Sequence, residues 1–180
     1  MNKSRLESFT DGVIVIAMTI MVVSIAAPTG AEWTDLWGLR YKFLVYALSF
    51  FTLAVYWKNH HHLLQKVKNI SHTSLWLNIA LLFFLTLFTF TTAWIDEYIT
   101  ELVPALTYGT VMLAANLSFI LLSLSLERLN NLPSNVVLYT TTLILNIGGL
   151  ALGFICPPLV LACCVALLVI WSVPRGYSGS

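Results

Sequence analysis

Residues 136–173 read VVLYTTTLILNIGGLALGFICPPLVLACCVALLVIWSV, without one charged side chain. A bilayer hydrocarbon core about 30 Å thick takes roughly 20 apolar residues as a helix, so this run is too long for one span and nearly long enough for two. Cys156-Pro157-Pro158 divides it, because each proline removes a backbone donor and pushes the residue before it out of helical geometry. A tight hairpin of helices at about 135–155 and 157–173 is the expected result. Outward from that hairpin, the same criterion predicts helices at about 9–28, 40–60, 73–95 and 102–126. Runs of this length exclude a β-barrel, whose strands need only about 9–11 residues. The expected fold is therefore all-α: a polytopic membrane protein with six transmembrane helices forming a single domain over 1–180.

Composition points the same way. The chain is 58% hydrophobic and 9% charged, against roughly 25% charged for an average soluble protein. A formal net charge of +1 leaves nothing basic enough to hold a nucleic-acid backbone. Cys156, Cys163 and Cys164 all fall in the apolar run, where cysteine behaves as a small buried hydrophobe rather than as a disulfide or metal ligand. With the N-terminus inside, the cytoplasmic segments hold Lys3, Arg5, Lys58, Lys66, Lys68, Arg128 and Arg175, and only Arg40 and Lys42 dissent. Glu32, Asp35, Asp96, Glu97 and Glu101 collect on the other side. That asymmetry predicts an N-in, C-in topology. Trp33, Trp37 and Trp94 then fall near the outer interface and Trp57, Trp76 and Trp171 near the inner one, as aromatic belts do.

Two clusters carry polar chemistry. Arg5-Leu6-Glu7-Ser8-Phe9-Thr10-Asp11-Gly12 leads into an uncharged run, Val13–Ala27. Asp11 near a helix start is favoured by free amides and the helix dipole, and Ser8 or Thr10 is placed to cap. Arg5 and Asp11 are six apart and do not face each other, so each needs partners elsewhere. The second cluster, Trp57-Lys58-Asn59-His60-His61-His62, closes the second segment at the same level. Consecutive histidines on a helix diverge by about 100° and cannot converge on one ion, so interfacial histidines, one bonded to the first helix, are expected and a metal site is not. No nucleophile-and-base motif such as G-x-S-x-G or H-E-x-x-H occurs, which disfavours an enzyme.

The run Arg5-x-x-x-Phe9-Thr10-Asp11-Gly12-Val13, continuing Ile16-Ala17-Met18-Thr19, resembles the R-x-x-x-F-S-D-x-x-x-x-I-x-x-T signature of the transmembrane protein 175 family, the endolysosomal and bacterial potassium channels. Ser49-Phe50, Trp57-x-x-His60-His61, and Asn78 through Leu87-Phe88-Thr89-Phe90-Thr91 resemble its next conserved blocks. The likeness is strong over the first half of the chain and extends over the second half only in hydropathy and length. Thr10 replaces the usual serine and keeps the hydroxyl, and a proline often found late in the third helix is missing. One six-helix unit resembles the bacterial members, which assemble as homotetramers in the cell membrane.

The resemblance implies roles. Ile16, Thr19, Ile20 and Val23 lie at i, i+3, i+4 and i+7, one helix face spanning about 10 Å. Such stripes are ordinary packing in most helices; here the family's pore-lining helix, hydrophobic constriction and threonine layer match this helix, Ile16 and Thr19. No T-V-G-Y-G filter is present, so Thr19 hydroxyls are the available ligands for a permeating potassium ion, with weak discrimination against sodium expected. Arg5, Phe9, Thr10, Asp11, Trp57, His60 and His61 become a framework that sets how the first helix leans. No cofactor is implied. Gly148, Gly149, Ala151 and Gly153 permit close helix approach in the fifth segment. The rival classes are a proton-coupled transporter using Asp11 and a histidine of the second helix, since intramembrane ionisable groups are functional by default, and a membrane enzyme using the histidine run.

Overall fold

The computed structural model describes residues 3–173. Among these it forms seven α-helices: α1 (Lys3–Val23), α2 (Trp33–Gly38), α3 (Arg40–Lys66), α4 (His72–Glu97), α5 (Leu102–Leu129), α6 (Val136–Gly153) and α7 (Leu159–Ser172). Arg175 and the terminal Ser178-Gly179-Ser180 lie outside the described residues.

Four helices, α1, α4, α5 and α6, are long and apolar enough to cross a membrane. The other two expected spans differ for separate reasons. Helix α3 is long, but its apolar stretch Phe43–Trp57 is bracketed by Arg40 and Lys42 on one side and Lys58 to His62 on the other. Helix α7 is continuously apolar yet only 14 residues long, short of the roughly 20 that a full hydrocarbon crossing takes.

The α4–α5 hairpin is the spine. Leu81, Leu85, Phe88 and Ile95 of α4 and Tyr108, Met112, Leu122 and Leu126 of α5 are all buried, and the Phe88 and Tyr108 rings meet at 4.7 Å. Pro104 sits in the first turn of α5, where the missing N–H would have had no helical partner anyway. Helix α1 packs on α4 and α3, and the α6–α7 hairpin packs on α5, with α7 closing back on α3. Apolar side chains gain little by leaving lipid for each other, so polar bonds and close fit hold such helices together. Thr92 donates to Ser49 (2.9 Å), Ser49 bonds the Tyr108 hydroxyl (3.1 Å), and Tyr56 donates to Asn116 (2.6 Å), all buried.

The predicted hairpin at Cys156-Pro157-Pro158 is present. Helix α6 stops at Gly153, the Cys156 amide donates back to the Leu152 carbonyl at 2.9 Å, and α7 begins directly after Pro158. The small residues divide by face. A Cβ on Gly149 would lie 2.7 Å from the Cys163 Cβ, and one on Gly153 2.6 Å from Val160, so these two let α7 close on α6. Gly148 has open space around it and Ala151 is exposed.

The first helix departs from expectation by about six residues, starting at Lys3 and ending at Val23 rather than spanning about 9–28. Ser8 and Thr10 are therefore interior and cap nothing, and Asp11 lies well inside the helix. The cause is tertiary: Leu6 and Thr10 are buried against the bundle, which carries the helix past the point where hydropathy falls. Helix α2 was not expected; its first turn is closed by the Asp35 carboxylate accepting from the Glu32 amide at 3.0 Å.

The helices alternate in direction, so charge separates by end. Lys3, Arg5, Lys58, Lys66, Lys68 and Arg128 stand at one end, called the basic end below. The acidic residues Glu32, Asp35, Asp96, Glu97 and Glu101 stand at the other with Arg40 and Lys42. Both dissenting cations have local partners: Lys42 pairs with Glu97, while Arg40 donates to the Trp37 carbonyl and lies 4.4 Å from the Tyr41 ring centre.

Candidate functional site

Helix α1 has two unlike faces. Leu6, Thr10, Ile14, Ala17 and Met21 are buried at helical spacing. On the opposite side Ile16, Ile20 and Val23 are 58%, 53% and 80% exposed, and Thr19 is exposed between them. The uncovered face is an apolar stripe interrupted by one hydroxyl. Thr19 Oγ1 donates to the Ile16 carbonyl at 2.9 Å, which spends its proton on the backbone and leaves the oxygen lone pairs for whatever lies outside. A hydroxyl held this way is an acceptor, the property a cation requires.

The basic half of α1 is fixed by two layers of polar contacts. The inner layer is a buried chain across three helices: Asn78 of α4 donates to Thr10 Oγ1 at 2.9 Å, and its Oδ1 lies 2.8 Å from His60 Nε2. Thr10, Asn78 and His60 are each at most 1% exposed, so these bonds have no competition from water. The outer layer is a register lock. Glu7 and Asp11 are four residues apart on α1, and Trp57 and His61 are four apart on α3. The antiparallel helices match them in pairs: Trp57 Nε1 donates to Asp11 Oδ1 at 2.9 Å, and His61 Nδ1 lies 3.1 Å from Glu7 Oε1. The second contact sets a carboxylate oxygen against an imidazole nitrogen, off the direction of a hydrogen bond. His61 also bonds Gln65 through Nε2 (2.9 Å) and stacks on the Trp57 ring, the centroids 5.9 Å apart and the planes 14° from parallel.

The predicted framework residues are thus brought together in part. Thr10, Asp11, Trp57, His60 and His61 share this corner. Arg5 is exposed, and among the described residues it makes no hydrogen bond or ion pair. Phe9 is 53% exposed on the outer side of α1. The three consecutive histidines diverge as expected: His60 points to Asn78, His61 to Glu7, and His62 is exposed. Among the described residues no group of three or more His, Cys, Asp or Glu side chains converges as a metal ion requires. Asn78 and Glu7 are the residues whose roles sequence reasoning missed. Asn78 stood only as part of a matching block, and the paired i, i+4 spacings of Glu7/Asp11 and Trp57/His61 were the signal that could have assigned Glu7.

A potassium channel from Chryseobacterium sp. (strain P1-3) is 33% identical over 181 residues, covering 97% of this chain and 94% of its relative. The model of the family described as the endosomal/lysosomal potassium channel TMEM175 matches residues 5–88. The chain belongs to the TMEM175 family. A potassium channel of Streptomyces collinus is 32% identical over 141 residues, covering 73% of this chain and 68% of that protein. At the level of structure, this TMEM175-family chain resembles the crystal structure of a lysosomal potassium-selective channel TMEM175 homologue from Chamaesiphon minutus. The TM-score is 0.81 at 26% identity, covering 94% of this chain and 96% of the other. The TMEM175 family match contains every residue of the polar corner and of the exposed α1 stripe, whereas α5 to α7 share the fold beyond it. The family is one of channels, not of enzymes.

Proposed function

We propose that this chain is the subunit of a homotetrameric, potassium-permeable channel of the bacterial inner membrane, its pore lined by α1. In this reading the single domain crosses the membrane six times, with α3 and α7 as the fifth and sixth spans and both termini cytoplasmic. Shortness and polarity are tolerated in these two because neighbouring helices cover them: α7 is wedged between α3, α5 and α6. Segregation of the basic residues to the end that holds Lys3 and Lys66 supports the orientation.

The observation that carries the proposal is the division of α1. One face is locked to α3 and α4 by the polar corner, and the other leaves Ile16, Thr19, Ile20 and Val23 exposed among the described residues. A lone subunit has no polar path across it; a path arises only where four such faces meet on a symmetry axis. Ile16 then forms an apolar neck that gates by excluding water, and the Thr19 oxygens form a ring of acceptors adjacent to it. With no carbonyl cage in the pore helix, potassium is favoured over sodium only weakly. The polar corner holds the tilt of α1 and does not touch the ion; the pore uses no cofactor.

The neck is tested by Ile16→Asn. A polar ring keeps the constriction wet, so single-channel conductance in a planar bilayer rises in the variant with tetramer assembly intact. Unchanged conductance moves the gate away from Ile16.

A further inference from the structure

At the basic end, residues of α3, α5 and α6 and the end of α7 line a cavity of about 540 Å³, within the range of ligand sites. Its walls have different chemistry. Lys58, His62 and Lys66 stand at i, i+4 and i+8, so they form one stripe along the face of α3 that lines the cavity. The two ammonium groups stand two turns apart with His62 between them, and Lys58 Nζ, which donates to the Ser172 carbonyl at 3.0 Å, keeps further N–H bonds to give, so the stripe is suited to a shared anion. The floor and far wall are apolar: Phe119 of α5, Leu132 and Leu138 about the start of α6, and Trp171 at the end of α7. Set into this apolar wall is Glu127, 6% exposed, whose Oε1 accepts from the Tyr139 hydroxyl at 2.6 Å and whose Oε2 has no hydrogen-bond partner among the described residues. Beside the cavity, Val137, Ile144 and Ile147 continue an exposed apolar face along α6 (78%, 64% and 58%).

We propose that this cavity binds the headgroup of a membrane phospholipid carrying both a phosphate diester and a primary ammonium, of the phosphatidylethanolamine type. The inference rests on the membrane placement proposed above, which puts this end at the headgroup level. The phosphate sits against the Lys58, His62 and Lys66 stripe, the ammonium satisfies the Glu127 carboxylate, and the acyl chains leave along Val137 and Ile144. Basic pockets between helices at the cytoplasmic boundary hold the phosphates of lipid headgroups; the buried carboxylate is what adds a place for an amine here. Glu127 sets the selectivity. A phosphatidylcholine headgroup has the same charges but no N–H, so it leaves Oε2 without a donor. An anionic headgroup without an amine gains the stripe but offers the carboxylate at most hydroxyls.

Native mass spectrometry of the purified full-length protein with equal amounts of dioleoyl phosphatidylethanolamine and dioleoyl phosphatidylcholine tests this. The ethanolamine lipid should be retained about tenfold more strongly, the worth of one charge-assisted hydrogen bond in a desolvated site. Glu127→Gln keeps an acceptor for Tyr139 and should abolish the preference, whereas Lys58→Gln with Lys66→Gln should weaken both lipids. Lys68→Gln, outside the cavity, should change neither. Equal retention of the two lipids by the wild type, which needs no variant to fold, overturns the proposal. So does an equal loss in Lys68→Gln, which marks general surface charge, or displacement by soluble phosphoethanolamine at lipid concentrations, which marks a free metabolite. Retention is read without any ion flux, so a protein that binds lipid and carries no current refutes the channel reading alone.

Discussion

Replacing Asn78 by leucine, close to it in size, removes the hub that joins three helices. Two interhelical hydrogen bonds are lost, to Thr10 and to His60. Measured bonds of this kind in membrane proteins average about 0.6 kcal/mol and reach about 1.7, giving roughly 1–3 kcal/mol for the pair. The groups left behind fare differently. Thr10 lies within its own helix and can turn its hydroxyl to the carbonyl one turn back, as serine and threonine do. His60, 1% exposed, has no such recourse at Nε2, and an unsatisfied buried group costs about 1–3 kcal/mol more. The total is about 2–6 kcal/mol. For a chain of this length each kcal/mol moves the melting temperature by roughly 2–4 °C, so a fall of about 4–24 °C is expected. Thermal unfolding in detergent, followed by size-exclusion chromatography of the heated sample, reads this directly. Thr10→Val should cost about 1 kcal/mol in the wild type and almost nothing on the Asn78→Leu background, because the bond it removes is already gone. A melting temperature for Asn78→Leu within about 2 °C of wild type, or fully additive effects of the pair, refutes the buried chain as a stabilising element.

Other substitutions separate the remaining roles. Gly149→Val forces branched carbons toward the Cys163 Cβ, 2.7 Å from the first atom added, and should destabilise by about 1–3 kcal/mol or prevent folding; Gly148→Ala, with open space, should be neutral or stabilise by up to about 1 kcal/mol, both read in the same thermal assay. Asp11→Asn keeps an acceptor for Trp57 Nε1 but removes the titratable group: potassium flux into proteoliposomes should persist, whereas loss of flux would favour the proton-coupled transporter. His61→Ala removes the Glu7 contact and the stack on Trp57, both made by half-buried side chains, and should lower stability by about 1 kcal/mol, with any metal found on the purified protein unchanged.

The hairpin of α6 and α7 was legible because two prolines interrupt a run with no charge, a local signal that tertiary structure has no reason to override. The start of α1 was not. Hydropathy falls at Gly12 although the helix continues to Lys3, since Leu6 and Thr10 find burial and a partner that a window average does not see. Helix α3 read as a span by its apolar centre, yet polar residues at both ends draw it below the apolarity of its neighbours; those at the Trp57–Lys66 end make the polar corner and line the basic cavity. Helix α2 is too short for periodicity to reveal, and only the Glu32/Asp35 spacing announced it. Within the site, a period of 3.6 identified which residues of α1 share a face. It could not say what each face meets. Asn78 holds Thr10 and His60 from a third helix, and pairing across helices is a property of the fold rather than of any one segment.

The central claim is that the exposed face of α1 lines a potassium pathway with Thr19 as its selective layer. Purified protein in a planar bilayer, with equal potassium on one side and sodium on the other, tests it through the reversal potential. The account predicts a current that reverses away from zero in the direction marking potassium as the more permeant ion, and a reversal close to zero in Thr19→Ala, which still conducts. A wild-type current reversing at zero, or a displaced reversal that Thr19→Ala leaves in place, contradicts it.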